Sequence, residues 1–193
     1  MKTIAKMALL AATMLVTLSA DAQKKTVDFV IARVINAPAD QVWAVVGEDY
    51  GAIANSHPQI VSSEYVGGTL KAGEGAMRQC NFNDKGTKYL KEKQVNYDPA
   101  NRSFDVKIYH VGGLPIDAEA SLSTFKVVPI DNNSCKLVMD MHFRTNPAFM
   151  GKLAKGKFKK GMADYALAVD HHVTTGEIVN KENFKRIKKE RKG

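Results

Sequence analysis

The spacing of apolar positions divides the chain into recognisable elements. Residues 26–36 (TVDFVIARVIN) are rich in β-branched and aromatic side chains and predict a first strand. Pro38 stands where a first helical turn tolerates proline, and Val42, Trp43 and Val46 follow at helical spacing up to Gly47. A second short helix is predicted over 50–56, ending before His57-Pro58 because the residue preceding a proline avoids helical angles. From Ile60 the pattern becomes strands at 60–66, 76–83, 88–97, 103–110, 119–128 and 134–145. They are separated by Gly67-Gly68 with Gly73 and Gly75, by Asn83-Asp84-Lys85-Gly86, by Asp98-Pro99-Ala100-Asn101, by Gly112-Gly113-Leu114-Pro115 and by Asp131-Asn132-Asn133. Links this short imply an antiparallel meander. Asn146-Pro147 predicts the start of a long helix, and Gly176 its end. At 100° per residue that helix places Met150, Ala154, Gly161, Tyr165, Ala168 and His172 on one side and Lys152, Lys155 and Lys159 opposite. The small residues at 154, 161 and 168 are compatible with close helix crossing or with room left for a ligand.

At the N-terminus, Lys2 and Lys6 precede an apolar run from Met7 to Leu18, and Ala20-Asp21-Ala22 supplies the small-x-small pattern of a cleaved export signal. The run falls short of the roughly 20 residues that span a bilayer. The expected mature chain begins at Gln23 and is secreted or periplasmic. With 45% hydrophobic and 25% charged residues the remainder suits one packed domain and excludes a collagen-like or wholly disordered chain. The net charge of +8 is concentrated in residues 181–193, which hold seven Lys/Arg and two Glu; residues 23–180 retain only +2. This separates a domain (23–180) from a basic tail (181–193), read as a solvated, poorly ordered end whose one candidate role is contact with an anionic surface. An export signal argues against a nucleic-acid partner. Cys80 and Cys135 lie on strands that are not expected to be neighbours, and their spacing gives neither a bridge nor a zinc site, so no metal or other cofactor is expected.

Several strings resemble one superfamily. VINAPADQVWAVVGEDY is similar to the opening strand-to-helix step of SRPBCC, or START-like, proteins. Gly75-Ala-Met-Arg78, followed by Lys91-Glu92 and Asp98-Pro-Ala-Asn-Arg102, resembles their central hairpin. The similarity covers about Thr26 to Thr175. It is nearest to bacterial polyketide cyclase/dehydrase and lipid-transport-like members and more distantly to plant abscisic-acid receptors. It implies an α+β helix-grip fold, with a curved antiparallel sheet of about seven strands around the C-terminal helix and two short helices after the first strand. His57-Pro58 stands where many members have Trp-Pro, a departure at the expected entrance.

Projecting the receptor resemblance strand by strand implies an inward set of Arg78, Cys80 and Phe82, then Leu90, Glu92 and Gln94, Val106 and Ile108, Glu119, Ser121 and Ser123, and Val138, Asp140 and His142. Leu122, Phe125, Leu137, Met139 and Met141 would then occupy the outer face. The candidate ligand-binding residues are thus Arg78, Glu92, Glu119, Ser121, Asp140, His142, Gly161 and Tyr165. Unpaired charges are too costly for a dry core, so these imply water, a polar ligand or an internal salt-bridge network. Three functions follow. One is an exported binding protein for a small, partly apolar or lipid-like ligand held between sheet and helix, with Arg78 meeting an acidic group and the glycine loops at 67–75 and 112–115 forming the mouth. The second is a cyclase or dehydratase using Glu92, Glu119 or Asp140 as general acid/base, with His142 or Tyr165 relaying protons. The third is an adaptor that touches anionic surfaces through its tail.

Overall fold

Each short link turns the chain back on the strand before it, and only the first strand must find a distant partner. The computed structural model describes residues 25–191 and shows this topology; the expected export signal, residues 1–22, lies outside the described residues. Strands β1 (Val27–Ile35), β2 (Ser62–Tyr65), β3 (Met77–Asn81), β4 (Tyr89–Asp98), β5 (Ser103–Gly112), β6 (Leu122–Asp131) and β7 (Ser134–Phe143) form one sheet in the order β1-β7-β6-β5-β4-β3-β2. Every pairing is antiparallel, and β1 closes on β7 with Val27 opposite Phe143 and Ile35 opposite Cys135. Three strands separate β3 from β7, so at about 4.8 Å per strand Cys80 and Cys135 are far beyond disulfide reach. Both are free and buried, as expected.

Between β1 and β2 lie helix α1 (Ala39–Trp43), a wider π-type turn (Ala44–Glu48) and a 3-10 turn (Tyr50–Asn55). Two glycines permit this compact run. A Cβ on Gly47 would lie 2.5 Å from the Trp43 ring, and one on Gly51 2.5 Å from the Tyr65 ring. The long helix α2 (Met150–Thr175) starts one turn later than predicted from Asn146-Pro147. Met150 and Gly151 first donate to the Pro147 and Ala148 carbonyls, three residues back, and the Thr145 hydroxyl donates to the Pro147 carbonyl at 2.8 Å.

A row of rings crosses the interior from sheet to helix. Trp43 lies 5.8 Å from Phe104, Phe104 5.1 Å from Phe125, and Phe125 6.4 Å from Tyr165, centroid to centroid. Phe158, Met162, Tyr165, Ala166 and Val169 of α2 pack on the sheet. The small residues at 154, 161 and 168 do not line one hollow facing the sheet. Ala168 packs away from the sheet with Leu167, Val179 and Ile187, and a Cβ on Gly161 would meet Gln59 at an ordinary 3.6 Å.

The tail is a second correction. Instead of a poorly ordered end it forms α3 (Phe184–Glu190), whose Ile187 is fully buried against α2. Val179 donates to the Asn55 carbonyl at 2.9 Å and leads the chain into this return.

Candidate functional site

Arg78 and Glu92 face each other across β3 and β4 and both point at α2. Arg78 Nε donates to Glu92 Oε2 at 2.8 Å, and Nη2 lies 2.8 Å from the same oxygen. Nη1 donates to the Tyr50 carbonyl at 2.7 Å, and the guanidinium lies over the Tyr50 ring at 3.8 Å. The Cys80 thiol reaches Glu92 Oε2 at 3.7 Å. Tyr165 comes down from α2, and His57 stacks on it with ring centroids 4.7 Å apart. The result is a buried box of Tyr50, His57, Arg78, Cys80, Glu92 and Tyr165.

Burial sets the protonation of this box. It pulls the His57 pKa down to about 3, aided by the Arg78 charge, so the ring is neutral. Nδ1 accepts the Gln59 backbone N–H at 3.1 Å, which leaves the proton on Nε2. Burial likewise pushes the Tyr165 and Tyr50 hydroxyls and the Cys80 thiol above their usual ranges. These are neutral donors, and Cys80 is an unreactive thiol. Among the described residues the buried Tyr50 hydroxyl has no partner, and the Tyr165 hydroxyl bonds to none either. Of the five N–H groups of a guanidinium, three are engaged here and two remain.

The remaining sequence candidates lie elsewhere. Asp140 and His142 are on the outer face of β7, with side chains 45% and 41% exposed, and His142 sits between Asp28 at 3.0 Å and Asp140 at 3.4 Å. The projected parity is thus reversed on β7: Leu137 and Met139 are fully buried and Val138 turns outward. On β6, Phe125 is inward, while Leu122 is outward as expected. Glu119 is an exposed residue of the turn before β6. Ser121 is buried but clasps that turn, donating to the Asp117 carbonyl at 2.7 Å and accepting the Arg144 backbone N–H at 3.1 Å. Gly161 sits beside Gln59 at the rim. Of the eight, Arg78, Glu92 and Tyr165 come together between sheet and helix, while Asp140 and His142 meet each other on the outer face.

Tyr50 and His57 were missed as site residues. Their signal was the stretch YGAIANSHP, where a tyrosine and a histidine flank a short helix that must return to the sheet. Gln94, fully buried, is a structural clamp: its amide donates to the Gly47 carbonyl at 3.0 Å and accepts the Gly73 N–H at 2.9 Å.

Two concavities lie at the surface of the described residues. One of about 340 Å³ lies along residues 69–76, part of the glycine loop expected as a mouth. The other, about 310 Å³, lies between Asn55, Pro58 and Ile60 and the returning Ile178 and Lys181. Neither is lined by Arg78. Among the described residues, no cluster of His, Cys, Asp and Glu could hold a metal ion, and no helix is long and apolar enough to cross a membrane.

A sheet curled around a long C-terminal helix, with a polar box between them, defines the helix-grip class. The family described as "Polyketide cyclase / dehydrase and lipid transport" matches residues 26–169, and the chain belongs to this SRPBCC-type family. No curated protein sequence matches the chain significantly. Among solved structures, a Thermobifida fusca protein is 24% identical, with 76% of this chain and 92% of that one covered and a TM-score of 0.62. The Zhui aromatase/cyclase from Streptomyces sp. R1128 is 16% identical over 77% and 94%, with a TM-score of 0.60. Norcoclaurine synthase from Thalictrum flavum, solved with dopamine and hydroxybenzaldehyde, is 22% identical over 89% and 97%, with a TM-score of 0.55. At such identities the likeness is one of fold.

Proposed function

We propose that this protein binds and carries a small, partly apolar molecule with an acidic group, held between the sheet and α2. The observation that carries the reading is the buried Arg78, with two unspent N–H groups in a box that also holds two tyrosine hydroxyls without a partner among the described residues. Together they suit a carboxylate or phenolate, and the surrounding rings suit an apolar body. Uptake requires the box to open, because its interior is occupied by the ring row.

Binding is favoured over turnover because a general base works best near the working pH, whereas His57 is held far below it. A second reading, a cyclase or dehydratase, rests on Glu92 Oε1, which bonds to no described residue while Oε2 holds Arg78. Native mass spectrometry of residues 23–193 should show a co-purifying small molecule that is lost in Arg78→Met. Glu92→Gln should retain it. A bound species retained fully by Arg78→Met would sink the anchor, and conversion of that species by the parent but not by Glu92→Gln would establish the enzyme instead. We also infer export with cleavage before Gln23; intact mass of material from outside the cytoplasm that retains residues 1–22 would reject it.

A further inference from the structure

The outward side of α2 carries one continuous stripe, and the fold covers only half of it. At 100° per residue the positions opposite Phe158, Tyr165 and Val169 are Phe149, Leu153, Lys160, Asp164, Leu167 and His171. Over the C-terminal half α3 lies on this stripe. Ile187 packs with Leu167, Lys188 pairs with Asp164, and Arg191 reaches the neighbouring Asp170 at 3.3 Å. Over the N-terminal half no described residue covers it: Leu153 is 81% exposed and Phe149, just before the helix, 69%.

Lys152, Lys157 and Lys159 flank these two side chains, Lys155 lies nearer the sheet, and all four are exposed. None forms an ion pair with a described residue, and no acidic residue occurs between 150 and 163. Asp28, an acid on a packed element, is engaged by Thr26 at 2.7 Å and His142 at 3.0 Å and also feels the Lys155 charge, so Lys152, Lys157 and Lys159 are the cations with no acid of the described residues beside them. The tail, where the sequence concentrates its charge, is partly neutralised. Arg186 pairs with Glu177 and Glu190, and Lys188 and Arg191 with acids of α2.

We propose that the uncovered half of α2 docks on an anionic lipid surface, Phe149 and Leu153 entering the interface and the lysines meeting the headgroups. A helix face with few apolar residues and many cations suits that plane. A partner helix would need anchors over two turns or more, whereas this apolar stripe gives way to Gly156 and Lys160 after one.

Vesicle co-sedimentation of residues 23–193, which hold every described element, tests this without the apolar run at 7–18. Binding is expected to phosphatidylglycerol/phosphatidylcholine vesicles and not to phosphatidylcholine alone, and to fall steeply between about 50 and 500 mM salt. Phe149→Ser with Leu153→Ser should reduce the bound fraction about tenfold with an unchanged circular-dichroism spectrum. Lys185→Glu with Lys189→Glu in α3 should leave it nearly unchanged. The proposal fails if the parent does not bind at low salt, if the α3 pair abolishes binding, or if the α2 pair does not reduce it. A concentration-dependent dimer that Leu153→Ser dissolves would assign the face to a second copy and overturn it as well.

Discussion

Arg78→Met tests the energetic centre of the box, since it keeps much of the stem and removes the charge. The variant loses the Nε bond and the Nη2 contact to Glu92, both 2.8 Å, and the bond to the Tyr50 carbonyl at 2.7 Å. Glu92, with a side chain only 12% exposed, would retain just the Cys80 thiol at 3.7 Å. Breaking a buried pair from one side costs about 3–5 kcal/mol, and Glu92's remaining access to solvent places this case near the lower end. The abandoned Tyr50 carbonyl adds about 1 kcal/mol. At roughly 2–4 °C per kcal/mol for a domain of this size, the midpoint should fall by about 8–16 °C. Arg78→Met with Glu92→Leu removes both charges and should recover more than half of the loss. Urea unfolding followed by far-UV circular dichroism and by the fluorescence of Trp43, the sole tryptophan, measures both variants. A single variant within about 1 kcal/mol of the parent, or a double variant less stable than Arg78→Met, would refute the account.

Two further outcomes follow from the same geometry. Because His57 stays neutral down to about pH 3 in the fold but titrates near 6.5 when unfolded, stability present above 6.5 should drain away as pH falls from about 6.5 towards 3. The slope reaches at most about 1.4 kcal/mol per pH unit; unfolding midpoints at several pH values should show a shallower slope in His57→Gln, and an unchanged slope would remove His57 as the cause. Gly161→Ala, whose new methyl would meet Gln59 at 3.6 Å, should stabilise the protein by about 0.5–1 kcal/mol through helix propensity, measured by urea unfolding. A loss of stability would mean that this rim is tighter than it looks.

The meander, the short helical run and the long helix were legible because turn residues and apolar period agreed along the chain. The site was legible on β3 and β4, where Arg78 and Glu92 share the face of Cys80 and Gln94, and on α2, where helical spacing turns Tyr165 towards the sheet. On β7 the residues themselves carried the right answer. Cys135, Leu137, Met139, Met141 and Phe143 alternate with Lys136, Asp140 and His142, and a half-solvated antiparallel strand turns the apolar set inward. The parity that the resemblance to distant receptors implies is opposite to that alternation, and a one-residue slip moves every side chain to the other face. Tyr50 and His57 could not be placed by period, since a π-type turn and a 3-10 turn have no repeat long enough to show a face.

Charge was misplaced for a different reason. A count of Lys and Arg locates formal charge, but the field outside a protein depends on which cations have partners. The tail counts seven cations, and the structure pairs Arg186, Lys188 and Arg191 with Glu177, Asp164 and Asp170. Those partners lie nine or more residues away in sequence, and nothing in a local window shows that the chain will fold back. The signal that it does was apolar: Ile187 recurs three residues after Phe184, a spacing that puts both on one face of a short helix. Once Ile187 is seated against Leu167 and Ala168, Lys188 and Arg191 are carried to the acids of α2. No described segment returns over Lys152, Lys157 and Lys159, and they form no ion pair with a described residue, so a chain whose formal charge is concentrated at its C-terminus also presents positive charge on the first half of its long helix.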